Sequence, residues 1–183
     1  MKSELARSER EVVDFWCAAG PQRWFRKDPA FDSEFRDRFL ALHERAAAGE
    51  LDDWANSWEG ALALLILLDQ FPRNAFRGTA RMYATDAQAR RIAHAALERE
   101  LDLQVPQDLR NFLYLPLMHS EDPRDHGLSV SKTAALGGEP HRYAVQHQRI
   151  IETFGRFPHR NALLGRTSTE PEERFMAAGG FSG

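Results

Sequence analysis

Two guanidinium–amide pairs stand in nearly the same phrase. Phe71-Pro72-Arg73-Asn74-Ala75-Phe76-Arg77-Gly78 and Phe157-Pro158-His159-Arg160-Asn161-Ala162-Leu163-Leu164-Gly165 match as F-P-R-N-A-x-x-G once His159 is set aside. In each, Arg-Asn follows an apolar helical run and a Phe-Pro that should stop it. Arginine offers a planar fork that fits carboxylate or phosphate. Asparagine satisfies loose carbonyls at a helix end or contacts a ligand. Two such ends either cap their own helices or together build a rigid site for an anion.

Other polar groups could join them. Asp69 closes an apolar run, where the helix dipole disfavours a carboxylate and burial would demand a cation such as Arg73 or Arg77. His119-Ser120-Glu121-Asp122 gathers an imidazole, a hydroxyl and two carboxylates. Glu121 orienting the His119 ring is the arrangement of acid–base catalysis, and solvated acids at a helix C-terminus are the bland alternative. His147, on an apolar helix face, reads as a hydrogen-bonded core histidine or a site member. Arg156 and His159 add a further guanidinium and imidazole. A metal site of His119, Glu121, His147 and His159 lacks any supporting ligand spacing, so no metal or cofactor is expected. No nucleophile elbow, phosphate loop or dinucleotide fingerprint is present. His126 and His141 stand in polar stretches and are expected to be exposed.

These groups need helices to position them. Ser8 with Glu11 suggests a capping box ahead of Val12, Phe15 and Trp16, and Gly20-Pro21 stops that helix. Asp32 can cap a second helix through Phe35, Phe39 and Leu42, stopped at Gly49. Ser57 opens a third, apolar all round through Leu68, that should lie centrally and end at Phe71-Pro72. Thr85-Asp86 starts a fourth, and Pro106 with Asp108 a fifth that Pro116 kinks or ends. Further helices are expected from Pro123 to Leu136, from Pro140 to Phe154, and from a Thr169–Glu172 capping box onward. No stretch shows strand alternation. Trp16, Trp24-Phe25, Trp54 and Trp58 either line an apolar pocket or staple core and loops. The expectation is an all-α chain of seven to eight helices in stacked antiparallel hairpins.

The 183 residues fit one domain, 1–183, with a frayed tail at 179–183. Net charge is −3 with the two signs interspersed, so neither nucleic acid nor an anionic membrane is an expected partner. The N-terminus lacks a signal-peptide core, and the longest apolar run cannot span a bilayer. Cys17 is alone, which suits the cytoplasm, and it reads as a buried structural thiol.

The motifs resemble the bacterial domain-of-unknown-function family 924. The matching segments are Val13-Asp14-Phe15-Trp16, Trp24-Phe25-Arg26-Lys27-Asp28, Leu67 to Asn74, Tyr114 to Glu121 and Phe154 to Asn161. Leu164-Gly165-Arg166 and Glu172-Glu173 complete the pattern, which spans nearly the whole chain. The resemblance implies a tetratricopeptide-like right-handed superhelix with a concave face, and no reaction. Where the family often has Gln after the His-Ser-Glu motif this chain has His126, which puts His126 outside any shared role.

Two functional readings follow. In one, His119, Glu121 and His159 act in acid–base chemistry. Asp69, Arg73, Asn74, His147, Arg156, Arg160 and Asn161 then hold a small anionic ligand in the cleft. In the other, the chain is a non-enzymatic interaction module that takes a peptide tail, and the polar motifs are structural.

Overall fold

The computed structural model describes residues 2–182, with side chains from Ser8 onward. Met1, the side chains up to Arg7 and the final Gly183 of the expected tail lie outside the described residues. Helices follow one another throughout, with no strand among the described residues. Among the described residues no helix is long and apolar enough to cross a membrane. Chain contacts group the residues into two compact units. Unit 1 runs to Arg77 and resumes over Arg81–Pro116, and unit 2 holds Gly78–Ala80 and everything from Leu117.

In unit 1, α1 (Lys2–Ala19) packs on α2 (Pro21–Trp24) and α4 (Trp58–Leu65). Ser8 is interior to α1 rather than its cap, because Glu4-Leu5-Ala6-Arg7 are all good helix formers. The start of α3 (Pro29–Ala47) likewise lies earlier than Asp32. Asp28 accepts from the Ala30 and Phe31 N–H groups, and Pro29 presets the first helical φ. Asp32 instead faces Arg77 at 3.3 Å. Phe15, Trp16, Trp24, Phe31, Phe35, Phe39 and Phe71 stack into one aromatic core. The Trp24 indole donates to the Trp16 carbonyl at 2.7 Å. Cys17, expected to be buried, is exposed, because it follows Trp16 by one helical step and that step turns it off the core face.

The apolar α4 is buried all round, as its composition requires, with Ser57 capping the Gly60 N–H at 3.0 Å. It does not stop at Phe71-Pro72. A π turn at Ile66–Gln70 carries the chain into α5 (Phe71–Ala75). The missing Pro72 N–H and the wider turn leave carbonyls free, and side chains take them: His43 donates to Leu67 O at 2.9 Å and Thr85 to Leu68 O at 2.5 Å. Next, α6 (Asp86–Glu98) packs on α4. The fifth expected helix begins later, as α7 (Asn111–Met118), and passes Pro116 by two residues.

Unit 2 is built on the hairpin of α8 (Pro123–Ala134) and α9 (Gly138–Phe154). Asp122 caps α8, and Gly155 at φ +70 ends α9, two residues before the second Phe-Pro could. Pro158 opens a single 3₁₀ turn at Pro158–Arg160, against which α10 (Glu170–Ala177) packs. Its capping box is present on both sides: Thr169 N–H donates to Glu172 Oε2 at 2.7 Å and Glu172 N–H to Thr169 Oγ1 at 3.4 Å. Ile150, Ile151 and Phe157 form one core cluster of this unit, with Phe154, Phe175 and Phe181 packed against it.

Candidate functional site

In unit 1 the first phrase closes the helix it follows. Arg73 donates to the Asp69 carbonyl at 2.8 Å and Asn74 to the Gln70 carbonyl at 2.9 Å. With His43 and Thr85, side chains therefore satisfy four consecutive carbonyls, Leu67 to Gln70. The buried Asp69 carboxylate finds its cation in Arg73, at 3.2 Å, and takes a hydrogen bond from Gln70 at 2.6 Å. Arg73 also forks onto Asp86 at 2.9 and 3.0 Å. Burial pushes the guanidinium down, but Asp69 and Asp86 more than offset this, so it stays firmly charged.

In unit 2 the second phrase uses the same groups on different partners. Arg160 donates to the His119 carbonyl at 2.8 Å, just past the end of α7, and its guanidinium lies 4.5 Å over the Phe157 ring. Asn161 reaches Ser168 at 3.1 Å and Glu172 at 3.3 Å. Arg156 forks onto Glu172 at 2.6 and 2.8 Å. That Arg156 hydrogen bond outweighs burial and, with the Thr169 N–H, depresses the Glu172 carboxyl to about 2.

Glu121 is committed elsewhere than in orienting an imidazole. Both of its oxygens take Arg166, at 2.7 and 3.0 Å, and one also takes the Phe157 N–H at 2.8 Å. Burial raises this carboxyl, yet Arg166 and Phe157 hold it below its ordinary value. Arg166 and Glu172 are the partners that residue-by-residue reading missed. Outside the family pattern, Glu172 is legible only as a capping residue and Arg166 carries no capping or periodic signal.

The histidines do gather. The His147 ring lies 6.3 Å from His119, 5.3 Å from Phe157 and 4.5 Å from Phe181. His159 meets Phe157 at 5.5 Å and Phe181 at 5.2 Å. His147 Nδ1 lies 2.8 Å from the Tyr143 carbonyl, which only accepts, so Nδ1 carries the proton. Burial first, then the neighbouring His119, pushes the His147 imidazole down to about 3, so it is neutral near pH 7. His126, expected to be exposed, is 1% exposed. It donates Nε2–H to Ser120 O at 2.7 Å and packs on Phe157, because the face of α8 that carries it also carries buried Ser129 and Thr133. His141 is half-buried beside Thr133. Among the described residues no three His, Cys, Asp or Glu side chains are placed to hold a metal ion.

Each unit also has an open groove. The unit 1 groove, about 570 Å³, lies between α1 and α3, where Arg10, Arg23 and Arg38 are matched by Glu11, Asp14 and Glu34. The unit 2 groove, about 840 Å³, runs between α9, α10 and the tail. Its floor is Ile150, Phe154, Phe175 and Phe181, its rim carries Arg142 and Arg149, and no carboxylate lines it. Arg142 pairs with Glu139 at 2.8 Å. The exposed Arg149 guanidinium has no ion pair or hydrogen bond among the described residues.

Residues 12–180 match the family model described as a bacterial protein of unknown function, DUF924. A solved structure titled as a protein of unknown function, ATU0120 from Agrobacterium tumefaciens, is similar over nearly its whole length. It is 48% identical, with a TM-score of 0.93 over 94% of this chain and 98% of that one. Curated proteins give no match. By the family-model match and this identity, the chain belongs to the DUF924 family.

Proposed function

We propose that the chain is an interaction module that binds an acidic, apolar-anchored peptide segment in the groove between α9, α10 and the tail. One contrast carries this reading. The guanidiniums of the two repeated phrases, and those of Arg156 and Arg166, are engaged inside their own units. Arg149, on the groove rim, is left to pair with something else. The groove is open, so it admits a chain rather than enclosing a small molecule, and its phenylalanine floor suits the apolar anchors of a peptide.

A labelled peptide of mixed Asp/Glu and Phe/Leu tests this by fluorescence anisotropy. Binding to the native chain is expected to weaken about tenfold or more in Arg149→Glu, through charge reversal at the rim. Arg38→Glu, at the charge-balanced groove, should leave it unchanged. Equal affinities for all three chains would overturn the proposal. A thermal-shift hit with an anionic metabolite that is lost in Arg160→Ala would instead favour the acid–base cleft.

A further inference from the structure

Phe181 faces two environments. It lines the groove beside Phe154 and Phe175, and its ring meets His147 at 4.5 Å and 62° and His159 at 5.2 Å and 77°. Both histidines also meet Phe157, so His147, Phe157 and His159 frame a socket of ring edges and faces that Phe181 fills.

The backbone does little to keep the ring there. The last backbone hydrogen bond in this segment, among the described residues, is from Gly180 N–H to Phe175 O at 3.0 Å. Gly179 turns the chain at φ +78, and a Cβ on Gly180 would come within 2.5 Å of the Phe175 ring. Phe181 thus follows a two-glycine helix cap, and beyond that cap its ring contacts are what hold it in place. A socket of this kind favours an aromatic occupant over an aliphatic one, because edge-to-face contacts add to simple burial.

Resting on the groove reading, we infer that the socket of His147, Phe157 and His159 is an aromatic-anchor site. The chain's own Phe181 fills it at rest, and an aromatic side chain of the acidic partner takes its place. Partner binding would then exchange one ring for another, and the ring released from the socket would leave the groove wall as well.

The test uses N-acetyltryptophanamide as probe, with the His147 and His159 ring protons followed by NMR in the full chain and in Phe181→Ala. The variant is expected to bind at least about tenfold more tightly than the native chain, because the probe no longer competes with a tethered ring. N-acetylleucinamide should bind neither. Phe181→Leu, which keeps apolar bulk against Phe154 and Phe175, covers the case in which the alanine variant fails to fold, and should also bind the probe more tightly than the native chain. Equal responses from native and variant chains, or equal responses to the two probes, would overturn the inference. A chain that binds the probe but no acidic peptide keeps the socket and loses the groove reading. A chain that binds the peptide with no dependence on Phe181 does the reverse.

Discussion

Arg73 shows what the repeated phrase does at the scale of a residue. One guanidinium serves a carbonyl, the buried Asp69 carboxylate and the Asp86 carboxylate together. Replacing it with alanine strips charge compensation from Asp69, so Arg73→Ala should cost about 3–5 kcal/mol in chemical denaturation. Arg73→Lys should recover only part of this, because an ammonium cannot fork onto Asp86 while reaching the Asp69 carbonyl. A residue held in reserve for a ligand would instead tolerate alanine to within about 0.5 kcal/mol. Residue types alone made Asp69's need for a cation legible. They did not reveal Asp86, which reads locally as an ordinary acid in the first turn of α6, nor Arg166, which has no capping or periodic signal.

At the scale of elements, the main surprise is the unbroken passage from α4 through a π turn into α5. Pro72 is a strong local stop signal. It loses here because a π turn precedes it and side chains from three parts of unit 1 donate to the carbonyls of Leu67 to Gln70. Where caps are self-contained, at Ser57 and at Thr169 with Glu172, local sequence placed the helix start correctly. Gly60 marks another tertiary demand, because a Cβ there would lie 2.1 Å from the Trp54 carbonyl oxygen. Backbone cannot step aside as a flexible side chain would. Gly60→Ala should therefore destabilise the chain by about 2–3 kcal/mol in urea unfolding, well beyond the gain in helix propensity.

The whole molecule should respond to acid through its buried imidazoles. Folding holds His147 at about 3, against about 6.5 in an unfolded chain, and His126 and His43 shift in the same direction. The unfolded state therefore binds more protons across this interval. For His147 the stabilising contribution is complete above about pH 6.5 and is lost as pH falls toward 3, with a slope approaching about 1.4 kcal/mol per pH unit, and His126 and His43 add to the decline in the same direction. Urea unfolding followed by circular dichroism from pH 7.5 to 5 should show this decline, and His147→Gln should flatten it. By itself the sequence determined an all-helical chain, its central apolar helix, its self-contained caps and its family. Those features rest on periodicity and on contacts within a few residues. Only the tertiary structure decided that Arg73-Asn74 closes its helix while Asn161 turns to Ser168 and Glu172, that Glu121 serves Arg166, that His126 is buried and that Phe181 sits on two histidines. Each of those outcomes depends on which distant group arrives to satisfy a carbonyl, a charge or a ring face, and no local pattern encodes that arrival.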